Sequence, residues 1–564
     1  MGVFPALKNI LLLFSLCLKQ LPVFKTIACI EFHKKTTIMS NRLTDTLFQL
    51  VQTFEKAEKR HFKLYIKRSS ANEDLKIIRL FDALDNMPEY DEDKLMKKLS
   101  PITKTQLANL KTHLYKQLLA SLRLLKTTDN VDLQLSEHLD NARLLYNKGL
   151  KIQSLRILEK AKEVARTNQK FNFLVQAISL EKKIETLHIT RSTTDKTQQM
   201  AAEATEVSDH INRVTRLSNL ALLLYRWYVL NGHARNEEDE KNIKAYFKEH
   251  LPADINAVSG FYENLYLYQS YCWYAFIRQD FLMYYRYSQK WIDLFTEQPF
   301  LLNIETGHYI KGMHNLLNAH FDLRNFKQFD STLKQFEAFA ISDAGMRHDN
   351  FRTHTSIYIN SARINYHLMK GTFNEGVKLV PEIESKLKEY ALYVDRHRIL
   401  VFTYKFASLY FGSGNYNKAI DYLMQIINGP LDLRMDLQCY ARLMHLMAHY
   451  ELGNDELIES LTKSVYRFMS KMKNLTVVEE EMFKFLRSAF NLSPKQLKPS
   501  LEKFLEKIKH LEKNRYETRT YAYLDIVSWV ESKVQDKPMS EIIYGKYLKS
   551  RHKDNRQGAI DNRQ

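Results

Sequence analysis

Glycine, proline and cysteine are scarce in this chain of 564 residues. It holds 15 Gly, 11 Pro and 4 Cys, where average usage of about 7% Gly and 5% Pro would give roughly 40 and 28. Sheets need turns, and turns consume Gly and Pro, so a protein rich in strands is excluded and nearly all-α structure is expected. The four cysteines, Cys17, Cys29, Cys272 and Cys439, form no closely spaced pair. That excludes a disulfide framework and a thiolate zinc site, and fits a reducing compartment. Long apolar runs are also missing. The longest, Asn9 to Leu18, is too short for a bilayer span, which takes about 20 residues. No integral membrane span is expected.

Glycine-rich phosphate loops, a nucleophile elbow and the HExxH pattern are absent as well. The nearest approach to a phosphate cradle is Gly412-Ser-Gly414, which a helix-to-helix turn explains. No catalytic residue, cofactor-binding residue or metal ligand set is expected. His445 and His449 lie four apart on one helix face at metal-ligand spacing, but Leu446 stands where a protease would carry its glutamate and no third ligand is obvious. His348 and His354 are similarly isolated. Glu479 to Glu481 reads as a solvated helix start favoured by the helix dipole.

What the chain has in quantity is charge and aromatic surface. The formal charge is +18, and 32 Tyr and 31 Phe are spread along the whole length. That surplus would attract acidic partners or nucleic acid. Yet basic and acidic residues alternate along most segments, as on solvated helix faces. The even spread of aromatics favours core filling between helices over a dedicated peptide or sugar groove.

Residues 1–38 read differently from the rest. They resemble a weak signal segment, but Lys19 and Lys25 follow the apolar run and no small-x-small cleavage site closes it. A start at Met39, which opens directly into an amphipathic helix, is the preferred reading. It makes 1–38 a non-native extension and the protein cytoplasmic. Export or membrane association is the alternative.

Residues 39–130 form an N-terminal helical unit. Leu43, Leu47, Leu50 and Val51 mark one helix, and Ile77, Leu80, Phe81 and Leu84 another. Ser100-Pro101 is expected to cap the next. That helix carries a stripe of Leu107, Leu110, Leu114, Leu118, Leu122 and Leu125, opposite a polar face including Lys104, Lys111, His113, Lys116 and Arg123. A nucleic-acid-reading helix would look like this. However, 17 Lys/Arg against 12 Asp/Glu leave a surplus of only five over 39–130, which favours a bundle helix with a hydrated face.

From 131 to about 535 a helical-hairpin rhythm recurs. Around Gly414 a small residue, an aromatic, a turn glycine, an aromatic and a second small residue follow one another as Ala407, Tyr410, Gly414, Tyr416 and Ala419, with Pro430 beyond. Ala142, Leu145, Gly149, Ser154 and Ala161 repeat the scheme, with Lys151 replacing the second aromatic. These hairpins resemble tetratricopeptide repeats. The resemblance implies an all-α superhelix of stacked antiparallel hairpins, and it makes Ala142, Gly149, Ala407, Tyr410, Gly414, Tyr416 and Ala419 repeat-packing residues. Weaker echoes place Asp280-Phe281, Asn325-Phe326, Thr372-Phe373 and Asn415-Tyr416 at turns, with Gly453-Asn454 a further one. Their aromatics stand 326 − 281 = 45, 373 − 326 = 47 and 416 − 373 = 43 residues apart, longer than the family's period of about 34.

Stacked hairpins leave a concave surface for ligands. The expected function is therefore a non-catalytic protein–protein interaction scaffold or adaptor binding a protein or peptide. The alternatives are a regulatory protein with nucleic-acid-binding N-terminal helices and a helical enzyme of unknown chemistry. In the dense aromatic stretch from Phe261 to Phe295, Tyr268, Tyr284 and Tyr287 are candidate partner-binding residues. A hinge is expected over 189–206, with a loop from Ile189 to Met200. Residues 536–564 should hold the end of a last helix and a disordered tail, because 549–564 lack apolar content.

Overall fold

The computed structural model describes residues 45–561 except 69–72, 189–193, 254–257, 392, 431–433, 473–474 and 490–492. The expectations for 1–38 and for a start at Met39 lie outside the described residues. Among the described residues every regular element is a helix, and none is long and apolar enough to cross a membrane. The chain divides into two compact units, with the boundary between Glu137 and His138.

In the first unit, helices α1 (Thr46–Gln52), α2 (Lys56–Lys67), α3 (Glu73–Asp85), α4 (Glu92–Lys98) and α5 (Lys104–Lys126) surround one apolar core. Ile77, Leu80, Phe81 and Leu84 of α3 are fully buried and meet Leu107, Leu114 and Leu118 from the leucine stripe of α5. Leu110 and Leu122 pack at the edge of that core. Helix α5 starts later than the Ser100-Pro101 pair implies. Thr103 caps it, and Thr103 and Gln106 exchange side-chain and backbone hydrogen bonds as a capping box. A reciprocal cap satisfies two orphan N–H groups, which a lone serine before proline cannot do.

The unit boundary falls inside α6 (Val131–Asn147). There follow α7 (Lys151–Thr167), α8 (Phe171–His188), the 38-residue α9 (Thr194–Asn231) and α10 (Glu237–His250). The loop expected from Ile189 to Met200 is therefore helical from Thr194 onward. Hairpins then succeed one another: α11 (Phe261–Ile277) with α12 (Phe281–Glu297); after the short α13 (Leu301–Ile304), α14 (Thr306–Asp322) with α15 (Phe326–Ala340). After α16 (Asp343–Met346), α17 (Asp349–Lys370) pairs with α18 (Phe373–Lys378) and its continuation α19 (Val380–Glu389). Next come α20 (Arg396–Gly412) with α21 (Tyr416–Ile427), and α22 (Met435–Glu451) with α23 (Asp455–Lys471). The first helices α14, α17, α20 and α22 touch in succession and form one row. The second unit is thus an α-α superhelix of antiparallel hairpins.

One turn recurs through this array. Gln279, Arg324, Gly371, Gly414 and Gly453 each take a positive φ, between 54° and 80°. The next residue, Asp280, Asn325, Thr372, Asn415 or Asn454, sends its N–H back five residues to a carbonyl of the ending helix at 2.9–3.1 Å. This is the left-handed helix stop that satisfies orphan carbonyls. Asp280, Asn325 and Asn415 then cap the following helix through their side chains. The aromatics Phe281, Phe326, Phe373 and Tyr416 open the second helices, where their spacing predicts them. Gly149 and Gln169 make the same turn earlier, through Leu150 and Lys170.

Close approach between helices rests on small residues. Ala142, Ala161, Ala407 and Ala419 are fully buried. Ser154 donates its hydroxyl to the Ala142 carbonyl at 2.8 Å across the α6–α7 hairpin.

After α24 (Val477–Ala489) and α25 (Pro494–Leu511) the chain turns back. A 3-10 turn, Arg515–Glu517, and α26 (Thr518–Tyr523) reach helices hundreds of residues earlier. Arg515 pairs with Glu240 of α10, Tyr516 donates to Glu240 at 2.7 Å, and Thr518 donates to the Gln279 side chain at 3.1 Å. Helix α27 (Ile526–Gln535) buries Trp529, whose indole N–H donates to Glu451 at 2.6 Å. Helix α28 (Met539–Asp561) then lies against α15 and α17, with Tyr547 edge-on to Phe326. The stretch for which composition predicts disorder is helical through Asp561. Its apolar anchors, Ile542, Ile543 and Tyr547, precede or open that polar stretch and dock the helix.

Candidate functional site

The row of first helices carries a polar seam where apolar packing would be expected. At its centre is Tyr358 of α17, 5% exposed. His314 of α14 stacks on its ring at 3.9 Å with the planes 10° apart. The Arg398 guanidinium of α20 lies 4.6 Å from the ring centroid and donates to the Tyr358 hydroxyl at 2.7 Å. The Lys311 ammonium of α14 stands 5.9 Å from the same ring. One step along the row, Lys405 of α20 donates to Ser361 Oγ at 2.6 Å and Asn365 Oδ1 at 2.7 Å, both on α17. Each contact joins adjacent helices of the row.

The electrostatics are one-sided. Burial, reinforced by the nearby charge of Arg398, pushes Lys311 down to about 8. Burial also pushes Lys405 down to about 7, opposed by Asp322. Asp322 in turn is pushed up to about 7 by burial, against the pull of Arg324 and Lys405. Burial and the charges of Lys311, Arg398 and Lys405 drive His314 well below the ordinary imidazole range. His354 moves the same way, from burial and Arg398. The floor of the seam is neutral: burial raises the Cys272 thiol to about 12 and the Tyr284 phenol well above its usual range. A thiol held so high is no nucleophile at neutral pH. The arrangement offers cationic N–H donors and few acceptors, which is chemistry for holding an anion.

The three tyrosines expected to bind a partner do not share one surface. Tyr284 is 6% exposed and lies in the core against Phe276 and Cys272. Tyr268 and Tyr287 are half-buried, 5.9 Å apart between ring centroids, and Lys290 stands over both. Tyr271 stacks on Tyr287 at 4.2 Å. Tyr284 and Tyr287 are three apart on α12 and so neighbours on the helix surface, yet only Tyr284 enters the core, which aromatic density alone does not disclose. Of the repeat-packing residues, Tyr410 stacks on Tyr422 at 5.5 Å and Tyr416 meets Phe411 edge-on at 5.4 Å. Gly414 and Gly149 take positive φ at turns.

His445 and His449 do meet, with their Nε2 atoms 3.2 Å apart, and Asn454 holds the far side of His449 at 2.8 Å. Among the described residues no group of three or more His, Cys, Asp or Glu could hold a metal ion. On α5, Lys111 is turned inward to Asp45 and to the Tyr90 hydroxyl, and Lys126 pairs with Glu58 at 3.0 Å. Lys111 of the basic face, and Lys126 at the end of the helix, are thereby occupied within the first unit.

Sequence reading missed Lys311, His314, Tyr358, Arg398 and Lys405. Aligning the hairpins on their left-handed turn residues exposes part of the seam. Lys311 and Tyr358 both stand 13 residues before the turn (324 − 311 and 371 − 358), and Asn318 and Asn365 both stand six before it (324 − 318 and 371 − 365). That register needs the non-glycine turn at Arg324, which no glycine marks. No protein-family profile and no curated protein matches the chain.

Proposed function

We propose that the protein is a non-catalytic scaffold or adaptor whose row of first helices receives a segment of a partner protein. The observation that supports this reading is the donor-rich seam of Lys311, His314, Tyr358, Arg398 and Lys405, which runs across three successive hairpins. A polypeptide segment laid along a helical stack meets several repeats at once. The likeness of the hairpins at Gly149 and Gly414 to tetratricopeptide repeats supports the same role.

The test is site-directed photocrosslinking in cells. A photoreactive residue at half-buried Val401, beside the seam, should trap a discrete polypeptide. The same residue at Ile341, 83% exposed at the end of α15, should not. The trapped protein, made separately, should bind the wild-type chain stoichiometrically and lose about tenfold or more in affinity on Arg398→Gln. Equal trapping at both positions, or unchanged affinity, would refute the proposal.

A further inference from the structure

Lys311 is a cation without a counter-charge. It has no hydrogen-bond acceptor or ion-pair partner among the described residues, and it stands 5.9 Å from the centre of the Tyr358 ring. Arg398 faces it from α20. Its contact with exposed Asp395 is a loose 3.8 Å, and its Nε atom is buried without a hydrogen-bond partner. The groups around them are the neutral imidazoles of His314 and His354, the hydroxyl of Tyr358, the thiol of Cys272, and the Lys405–Asp322 couple. The charge of Asp322 is felt by Lys405 and Arg324. Two cations therefore share a half-buried space, and the carboxylate paired there, exposed Asp395, reaches only Arg398, at 3.8 Å. Like charges in a low-dielectric setting repel strongly, and buried charges are ordinarily paired.

We infer that Lys311 and Arg398, with His314 and Tyr358 between them, form a binding site for a dianionic phosphoryl group. The inference rests on the scaffold reading, in which the phosphoryl group is carried by the partner segment. Lys311 is uncompensated and Arg398 is met only loosely by an exposed carboxylate, so a dianion satisfies the pair better than a single carboxylate does. The planar guanidinium supplies paired N–H donors and Lys311 a mobile one, the combination that suits tetrahedral phosphate oxygens. The imidazoles can gain protons once a dianion is bound, which adds attraction that a weaker anion would not recruit.

The experiment is residue-resolved amine acetylation of the full chain, read by peptide mass spectrometry between pH 6 and pH 10. Inorganic phosphate, acetate and chloride are compared at one ionic strength, and an amidated, acetylated Gly-phosphoserine-Gly peptide is a fourth probe. With phosphate the reactivity midpoint of Lys311 should rise by about one pH unit or more, because a bound dianion favours the ammonium. Acetate and chloride should leave it in place, as should phosphate on Arg398→Gln. The phosphopeptide should act at lower concentration than inorganic phosphate. An equal effect of acetate or chloride would overturn the inference, and the wild-type comparison alone decides this even if the variant fails to fold. A stronger response to inorganic phosphate than to the phosphopeptide would overturn the link to a partner segment. Loss of the phosphate response with intact crosslinking at Val401 removes the phosphoryl site and leaves the scaffold. The converse result keeps the site and removes the scaffold.

Discussion

Gly412 closes α20 where the first helix of one hairpin meets the second helix of the hairpin before it. A Cβ at this position would stand 2.3–2.5 Å from three ring carbons of Phe373. Phe373 opens α18 and is 4% exposed, so the ring can yield only by disturbing its buried packing. Gly412→Ala should therefore overpack the joint, at about 1–3 kcal/mol. Helix propensity works the other way, and alanine gains at most about 1 kcal/mol over glycine in a helix. The net expectation is a loss of about 1–2 kcal/mol. Phe373→Leu makes room, at a cavity cost of about 1–2 kcal/mol of its own. In the double variant the clash is gone, so the two losses should fall short of their sum by about 1–2 kcal/mol. Urea unfolding followed by circular dichroism measures the four corners of the cycle. Stacked hairpins need not unfold in one step, so amide exchange in α18 to α20 should report the same order locally. A rise in stability on Gly412→Ala, or additivity within about 0.5 kcal/mol, would refute the claim that contact with Phe373 dictates glycine here.

Lys162 and Glu181 form an ion pair at 2.6 Å with both side chains almost fully buried. Lys162→Met should cost about 3–5 kcal/mol in urea unfolding, and Lys162→Met with Glu181→Leu should recover most of it. Arg324→Gly should raise the thermal midpoint, by about 0.5–1 kcal/mol of stability, because relief of about 1–2 kcal/mol of left-handed strain outweighs the loss of its exposed contact with the Phe321 ring, worth about 0.5–1 kcal/mol. Gln279→Gly should not, because Gln279 also donates to the Ala234 carbonyl at 2.9 Å and accepts from Thr518 at 3.1 Å. Glu263 is fully buried. Burial alone would raise it, but the Ser259 N–H, Arg213, the Gly260 N–H and His210 outweigh that and hold it below the usual carboxylate range. The unfolded chain then binds the proton more readily than the native one. This contribution is present above the ordinary carboxylate range and is lost as pH falls from that range down through the lowered native value. Melting curves across mild acid should show Glu263→Gln with a flatter pH dependence than wild type.

The hairpin period was legible because second-helix aromatics recur beside polar capping residues. Asp280-Phe281, Asn325-Phe326, Thr372-Phe373 and Asn415-Tyr416 all stand at turns. The chemistry of those turns was only half legible. Glycine marks Gly371, Gly414 and Gly453, whereas Gln279 and Arg324 adopt the same left-handed conformation with ordinary side chains. Their neighbouring contacts, not their residue type, hold them there. The leucine stripe of α5 was plain from its spacing, while its cap moved to Thr103 because capping is decided by a local exchange of bonds. The polar seam was illegible for a different reason. Lys311, Tyr358 and Arg398 belong to three hairpins and become neighbours only when the helices stand side by side. Tyr284 was misleading in the opposite sense, since a tyrosine in an aromatic-rich helix gives no sign of which layer it enters.

The returning C-terminal segment changes what the seam can do. An open hairpin array is held only by nearest neighbours and bends easily along its length. Here Tyr523 receives the Tyr404 hydroxyl on its carbonyl at 3.0 Å, stacks on Tyr440 at 4.6 Å and donates its own hydroxyl to Asp436 at 2.5 Å. Arg434 binds Asp436 and the Tyr523 hydroxyl, and meets His397 Nε2 at 2.9 Å. His397 is the residue before Arg398. The same segment grips Glu240 and Gln279 at the other side of the array. Helices α20 and α22 are thus fastened through residues 515–523 to α10 and to the turn after α11. That tie opposes bending of the row that carries Lys311 and Arg398. Two like charges held on one frame cannot move away from each other, so their donors stay preorganised for an anion.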